Sequence, residues 1–154
     1  MELHEKVANF TLQNEEDETV NLTDYAGTPV VLFFYPRADT PGCTIEACGF
    51  RDHFKKLQKE GVVVLGISRD TPKAQKKFKE KYDLPYTLLA DVDETVCNQF
   101  GVLKDKNMYG KKVKGIERTT FVIGADQTLV KIFPKVKPEG HAEEVLAALK
   151  AMKK

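Results

Sequence analysis

The chain has 154 residues, 42% of them hydrophobic, which is enough for a real core, and a single domain over residues 1–154 is expected. Lys plus Arg (24) nearly balance Asp plus Glu (23), a formal net charge of +1 that excludes the one-signed field of a nucleic-acid or anionic-membrane binder. Three cysteines are too few for a disulfide-stapled secreted scaffold, and no apolar run reaches the roughly 18 residues of a membrane span. The opening "MELHEKVANF" has no basic stretch followed by an apolar one, so a soluble, cytoplasmic protein is expected.

In chain order, "NFTLQNEEDETVNL" reads as a small hairpin. "VVLFFY" (30–35) and "VVVLGI" (62–67) are continuous, β-branched apolar runs that predict fully buried strands. Between them Ala47, Phe50, Phe54 and Leu57 recur at helical steps, with Gly61 just beyond, so a βαβ unit with a parallel pair follows. Thr71 and Pro72 supply the cap and first turn of a second helix running to about Tyr82. "YTLLAD" (86–91) predicts a third strand, and "DETVCNQFG" a short helix opened by Asp93 and closed by Gly101. The Lys-rich "KDKNMYGKKVKG" is expected to be a solvated polar loop. "TTFVIGADQTLVKIF" alternates as a hairpin about Ala125-Asp126-Gln127, and "GHAEEVLAALKAMKK" closes the chain as an amphipathic helix. The order implies an α/β domain whose C-terminal strands turn antiparallel.

The stretch with chemical interest is "YPRADTPGCTIEAC". Thr40, Pro41, Gly42 and Cys43 fit the N-cap, N1, N2 and N3 positions of the helix after the first buried strand. Cys43 thus stands where a capping box places a glutamate, beside unpaired N–H groups and the positive end of the helix dipole. An ordinary thiol with a pKa of about 8.5 is roughly 3% ionised at neutral pH, whereas helix N-termini with a nearby cation bring thiols to about 6, roughly 90% thiolate. The residue types therefore predict a nucleophile, against the simpler reading of a small buried hydrophobe.

Cys48 lies five positions on. An intact helix separates such a pair by about 7.5 Å of rise and about 140° of rotation, so their Cα atoms lie roughly 8 to 9 Å apart. That exceeds the disulfide limit of about 7 Å, and a bridge requires the first helical turn to unwind.

The same stretch resembles the active-site segment of peroxiredoxins, Pro-x-x-x-Thr-x-x-Cys, here Pro36, Thr40 and Cys43. With "NLTDYAG", "VVVLGIS", "YTLLAD", "CNQFGV" and "GIERTTFVI" the chain is similar over nearly its whole length to the bacterioferritin comigratory protein, or Q, subfamily. The resemblance implies a thioredoxin-like fold with an N-terminal hairpin and insertions, its central mixed sheet flanked by helices. It implies reduction of hydrogen peroxide and alkyl hydroperoxides, with Cys43 peroxidatic and Cys48 resolving. Thr40 would hold its hydroxyl near the sulfur, Pro36 would shield the pocket, Arg118 would be the active-site arginine, and Glu46 its orienting partner. A thioredoxin-like or glutaredoxin-like donor would reduce the disulfide, and an intramolecular bridge suits a monomer. The family often has a proline before the N-terminal phenylalanine; Asn9 stands there, which bears on the packing of the first strand.

Two alternatives remain at this stage: a thioredoxin-class thiol-disulfide oxidoreductase, against which the five-residue spacing argues, and a redox-responsive binding module. Cys97 reads as a half-buried packing residue with a conceivable backup role. His4, His53 and His141 share no zinc-site spacing with the cysteines, and neither a metal nor another cofactor is expected.

Overall fold

The computed structural model describes residues 1–152. β1 (Thr11–Asn14) and β2 (Thr19–Asn21) form the predicted hairpin, followed by a 3-10 turn at Leu22–Tyr25 and by β3 (Val30–Phe34). Asn9 packs productively in place of proline: its side-chain oxygen accepts from the Thr23 N–H at 3.0 Å. α1 (Pro41–Asp52) and α2 (Phe54–Lys59) lead to β4 (Val63–Ser68), then α3 (Pro72–Lys81), β5 (Thr87–Ala90) and α4 (Thr95–Gln99). β6 (Leu103–Met108), β7 (Lys111–Ile116), β8 (Thr119–Ile123), β9 (Leu129–Phe133) and α5 (His141–Met152) complete the order. The last two residues of the predicted final helix lie outside the described residues.

The main sheet runs β2-β1-β5-β4-β3-β8-β9. Its centre, β3, β4 and β5, is parallel, while β8 is antiparallel to β3 and β1 antiparallel to β5. This is the mixed α/β sheet flanked by helices that the sequence implied. β3 is buried on both faces because its residues alternate: Val30, Leu32 and Phe34 belong to one core, Val31 and Phe33 to the other, joined there by Tyr35 just beyond the strand. Gly66 of β4 admits Phe33, since a Cβ there would lie 2.9 Å from the Phe33 ring. Phe33 in turn stacks on Phe50 of α1 with centroids 4.6 Å apart. The helix that carries the cysteine pair is thereby seated on the central strand.

Three local expectations are corrected. The helix predicted through Leu57 breaks at His53, whose backbone leaves the helical region (φ −104°, ψ 9°) while its Nδ1 lies 3.0 Å from the Gly49 carbonyl; the break aims Phe54 at Tyr86 and leaves Leu57 fully buried. The expected polar loop is the β6–β7 hairpin. Tyr109 and Gly110 both take positive φ (53° and 77°), which is the two-residue turn that matches strand twist, and the Lys106 stem lies across Gly115 with its ammonium on the Ile116 carbonyl at 3.1 Å. α4 is opened by Glu94 rather than Asp93; Asp91 caps it, accepting from the Val96 and Cys97 N–H groups at 3.2 and 2.7 Å. Thr71 caps α3 as expected, accepting from Ala74 N–H at 3.2 Å. Among the described residues no helix is long and apolar enough to cross a membrane.

Candidate active site

α1 begins as its sequence dictates, with Thr40 at the N-cap, Pro41 at N1 and Cys43 at N3. Cys43 is 1% exposed and shares its core with Tyr35, Ala47 and Phe50, so its thiol sits beneath the first turn rather than on the surface. The N–H groups of Gly42 and Cys43 belong to the turn that has no intrahelical acceptors. The Thr40 side chain takes neither of them. It makes no cap hydrogen bond and donates instead to the Arg37 carbonyl at 2.9 Å. With its hydrogen committed there, the hydroxyl has only lone pairs for any further partner. Pro36, partly buried, lies directly after Tyr35 at the start of the arch leading to α1.

Arg118, between β7 and β8, brings the cation from 75 residues away: its Nη1 donates to the Cys43 Sγ at 3.4 Å and to Glu46 Oε1 at 2.8 Å. Nη2 lies over the N-terminal turn, where a Cβ on Gly42 would approach it to 3.0 Å. Gly42 is therefore the residue that lets the guanidinium settle on the turn beside the sulfur. Cys43, Glu46 and Arg118 form one cluster, and the N-cap Thr40 stands one turn before Cys43.

Glu46 is the electrostatic oddity of the cluster. Its side chain is fully buried, only Oε1 meets Arg118, and Oε2 has no partner. Burial pushes its carboxyl up to about 7, outweighing the pull of Arg118. Burial would lower the Arg118 pKa, but Glu46 and the Cys43 sulfur hold it above its ordinary value. A carboxyl raised in the fold contributes full stability below its unfolded pKa of about 4.5 and loses it as pH climbs toward 7, because the folded chain keeps a proton that the unfolded chain has shed. From pH 5 to 8 this group should withdraw on the order of 3 kcal/mol from wild-type stability. Glu46→Gln should flatten that slope in urea unfolding of the reduced protein; an unchanged slope would put the buried charge elsewhere.

Cys48 is half-buried on α1, outside the apolar core that holds Cys43, and lines a groove with Ile45, Asp52 and Pro138. Burial raises its thiol pKa, with Arg51 opposing and Asp52 adding. Because α1 is continuous from Pro41 to Asp52, the two thiols keep the helical separation that forbids a bridge in this state. All three cysteines are free thiols. Cys97 is not half-buried but fully enclosed, in the core on the opposite face of the sheet from Cys43. Burial and a hydrogen bond to Asp91 push its thiol well above the ordinary range. Of the histidines, His141 is buried between Thr120 Oγ1 (2.7 Å) and Glu144 Oε1 (2.9 Å), which is a packing role.

Sequence reasoning missed the polar residues behind the arch: Ser68, Asp70 and Gln75. Gln75 is fully buried on the inner face of α3, three positions before buried Phe78. A glutamine on an apolar helical stripe was the available signal, since such a group needs internal partners.

The chain is similar to known proteins over nearly its whole length. The AhpC/TSA family pattern matches residues 3–132. A putative peroxiredoxin Bcp of Coxiella burnetii is 55% identical over 149 residues, 97% of this chain and 99% of that protein. Peroxiredoxin Bcp of Escherichia coli K12 is 48% identical over 141 residues, 92% and 90% of the two chains. Among solved structures, the bacterioferritin comigratory protein of Xanthomonas campestris, described for its alkyl peroxide reduction activity, superposes with a TM-score of 0.90 at 41% identity, covering 94% of this chain and 92% of that one. A cysteine-to-serine mutant of Xylella fastidiosa PrxQ gives 0.95 at 36% identity over 100% and 98%. With this similarity running nearly end to end, and a cysteine and an arginine meeting at the first turn of α1, the chain belongs to the AhpC/TSA family as a peroxiredoxin of the bacterioferritin comigratory protein, or Q, group.

Proposed function

We propose that this chain is a thiol peroxidase that reduces hydrogen peroxide and alkyl hydroperoxides through Cys43, with Cys48 as its intramolecular resolving partner. The observation that carries the reading is the Arg118 guanidinium 3.4 Å from a thiol at the N3 position of a helix.

Each residue then has a chemical role. The Cys43 thiolate attacks the terminal oxygen of the hydroperoxide; the S–O bond forms as the O–O bond breaks, and the electron pair leaves on the departing oxygen, which takes a proton to become water or an alcohol. Arg118, held by Glu46 and unable to lose its proton, is placed beside the sulfur where that negative charge develops. The free N–H groups of the first turn add donors. Thr40, its hydrogen given to Arg37, accepts from the substrate O–H and orients it. Pro36 walls the thiol from bulk water.

The Cys43 sulfenic acid is then attacked by the Cys48 thiol, releasing water and leaving a disulfide, after the first turn of α1 has unwound. Two electrons and two protons from a dithiol protein of the thioredoxin or glutaredoxin class restore both thiols. An intramolecular bridge needs no second subunit, so the working form is a monomer, one domain over residues 1–154. A scarcity of cysteine suits a cytosolic compartment.

The test is the intact mass of reduced protein sampled within seconds of adding one equivalent of hydrogen peroxide. A loss of about two mass units, mapped to a Cys43–Cys48 bridge, is the expected result. A mass unchanged over many minutes would leave only slow thiol chemistry and sink the peroxidase reading.

A further inference from the structure

The arch of residues 36–40 that precedes Cys43 has no regular structure to hold it, yet its members Pro36 and Thr40 must stand still beside the thiol. A chain of hydrogen bonds behind it, buried at Gln75 and half-buried at Asp70, supplies the support. Asp70 Oδ2 accepts from the Ala38 N–H at 2.8 Å, in the middle of the arch. The same oxygen accepts from the Ser68 hydroxyl at 2.6 Å, and the Ser68 oxygen accepts from the Gln75 side-chain amide at 3.0 Å. That amide also donates to the Leu89 carbonyl at 2.7 Å, while the Gln75 oxygen accepts from the Tyr35 hydroxyl. Tyr35, Ser68 and Gln75 are fully buried. A satisfied network of this kind has one low-energy arrangement, since turning any member strands the others. A second clamp lies outside it. Asp39, at φ 58°, accepts from Lys81 Nζ at 2.9 Å and from the Tyr82 hydroxyl at 2.8 Å. Ser68 ends β4, Asp70 lies just beyond it, Gln75 is on α3, and Lys81 and Tyr82 are at the end of α3, so one β-α unit grips the arch from both sides.

We propose that Asp70, braced by Ser68 and Gln75, is the positioning residue for peroxide in this site. It fixes Ala38, and through it the placement of Pro36 and Thr40, without touching the sulfur or its arginine. The inference rests on the peroxidase reading above. Its signature separates it from general damage. Peroxide attack needs the arch, because the hydroperoxide must be held with its O–O bond in line with the sulfur, and a misplacement near 1 Å costs up to about a hundredfold. Alkylation of the same sulfur by iodoacetamide needs only an accessible thiolate.

The experiment uses full-length reduced protein. The rate of Cys43 oxidation is read by competition with a haem peroxidase for limiting hydrogen peroxide, and the rate of Cys43 alkylation by iodoacetamide is read by peptide mass at the same pH. Asp70→Ala is expected to slow peroxide attack by about ten- to a hundredfold without slowing alkylation, since a displaced Pro36 screens the thiol less. Asp70→Asn keeps an acceptor oxygen and should restore the peroxide rate. Should Asp70→Ala not fold, Ser68→Ala, which removes one brace, carries the test with an expected loss of about tenfold in the ratio of the two rates, the low end for one hydrogen bond to a charged group. A ratio equal to wild type in whichever variant folds overturns the proposal, and so does Asp70→Asn as slow as Asp70→Ala, since charge and not the hydrogen bond would then be at work. If wild type itself met peroxide no faster than a free thiol, the peroxidase reading would fail instead.

Discussion

Arg118→Ala is expected to slow the oxidation of Cys43 by hydrogen peroxide by about two to three orders of magnitude, the usual cost of deleting a preorganised donor that faces developing charge. The guanidinium does two things in this site: it reaches the sulfur at 3.4 Å and it holds Glu46 at 2.8 Å. Its loss also strands a fully buried carboxyl, which will take up a proton rather than remain charged without a partner. Stability and rate can be separated with Arg118→Lys. An ammonium can still neutralise Glu46, but it is a compact point charge without the planar fork that spans the carboxylate, the sulfur and Gly42. The lysine variant should therefore unfold close to wild type in urea while recovering little of the rate. A peroxide rate for Arg118→Ala within about threefold of wild type would remove Arg118 from the chemistry.

Cys48→Ser should leave the first oxidation fast and stop everything after it. One equivalent of peroxide is consumed, no bridge forms, and with excess peroxide the Cys43 peptide gains about 32 mass units as sulfinic acid. Turnover coupled to a thioredoxin-like donor falls to near background. Cys97 does not rescue it: that thiol is 0% exposed, bonded to Asp91, and on the far face of the sheet. The two cores are separated by β3 itself, whose alternate residues point into each. Full recycling of the serine variant by the donor would falsify the resolving role of Cys48.

How much of this was legible in the chain depended on whether the cause was local. Thr40, Pro41 and Gly42 announce a helix start by their own backbone preferences, so the position of Cys43 at N3 could be read directly. The buried strands were equally plain, because a run such as "VVLFFY" leaves no polar face to expose. The break at His53 carries no proline or glycine to mark it. The β6–β7 hairpin hides because its lysines give it no apolar stripe; only the Tyr-Gly pair at its turn speaks for it. Arg118 reaches Cys43 across 75 residues, and nothing in its immediate neighbours distinguishes it from a surface arginine, so the family resemblance alone marked it. The Thr40 hydroxyl gives its hydrogen to the Arg37 carbonyl, a choice set by the arch and not by the cap position. Ser68, Asp70 and Gln75 were invisible for the same reason: each is an ordinary polar residue until folding brings them into one chain of hydrogen bonds.

The unpartnered oxygen of Glu46 links electron transfer to acidity. Glu46 sits between the two cysteines, so the unwinding that the proposed Cys43–Cys48 bridge requires would carry its carboxyl from the interior into water, where it would return from about 7 toward the ordinary value of about 4.5. Between those values the reduced chain would then hold a proton that the disulfide chain has released. If the bridge forms as proposed, the midpoint potential of the couple is expected to fall with pH more steeply over that interval than the two sulfurs alone require, and a potential measured from pH 5 to 7 checks it.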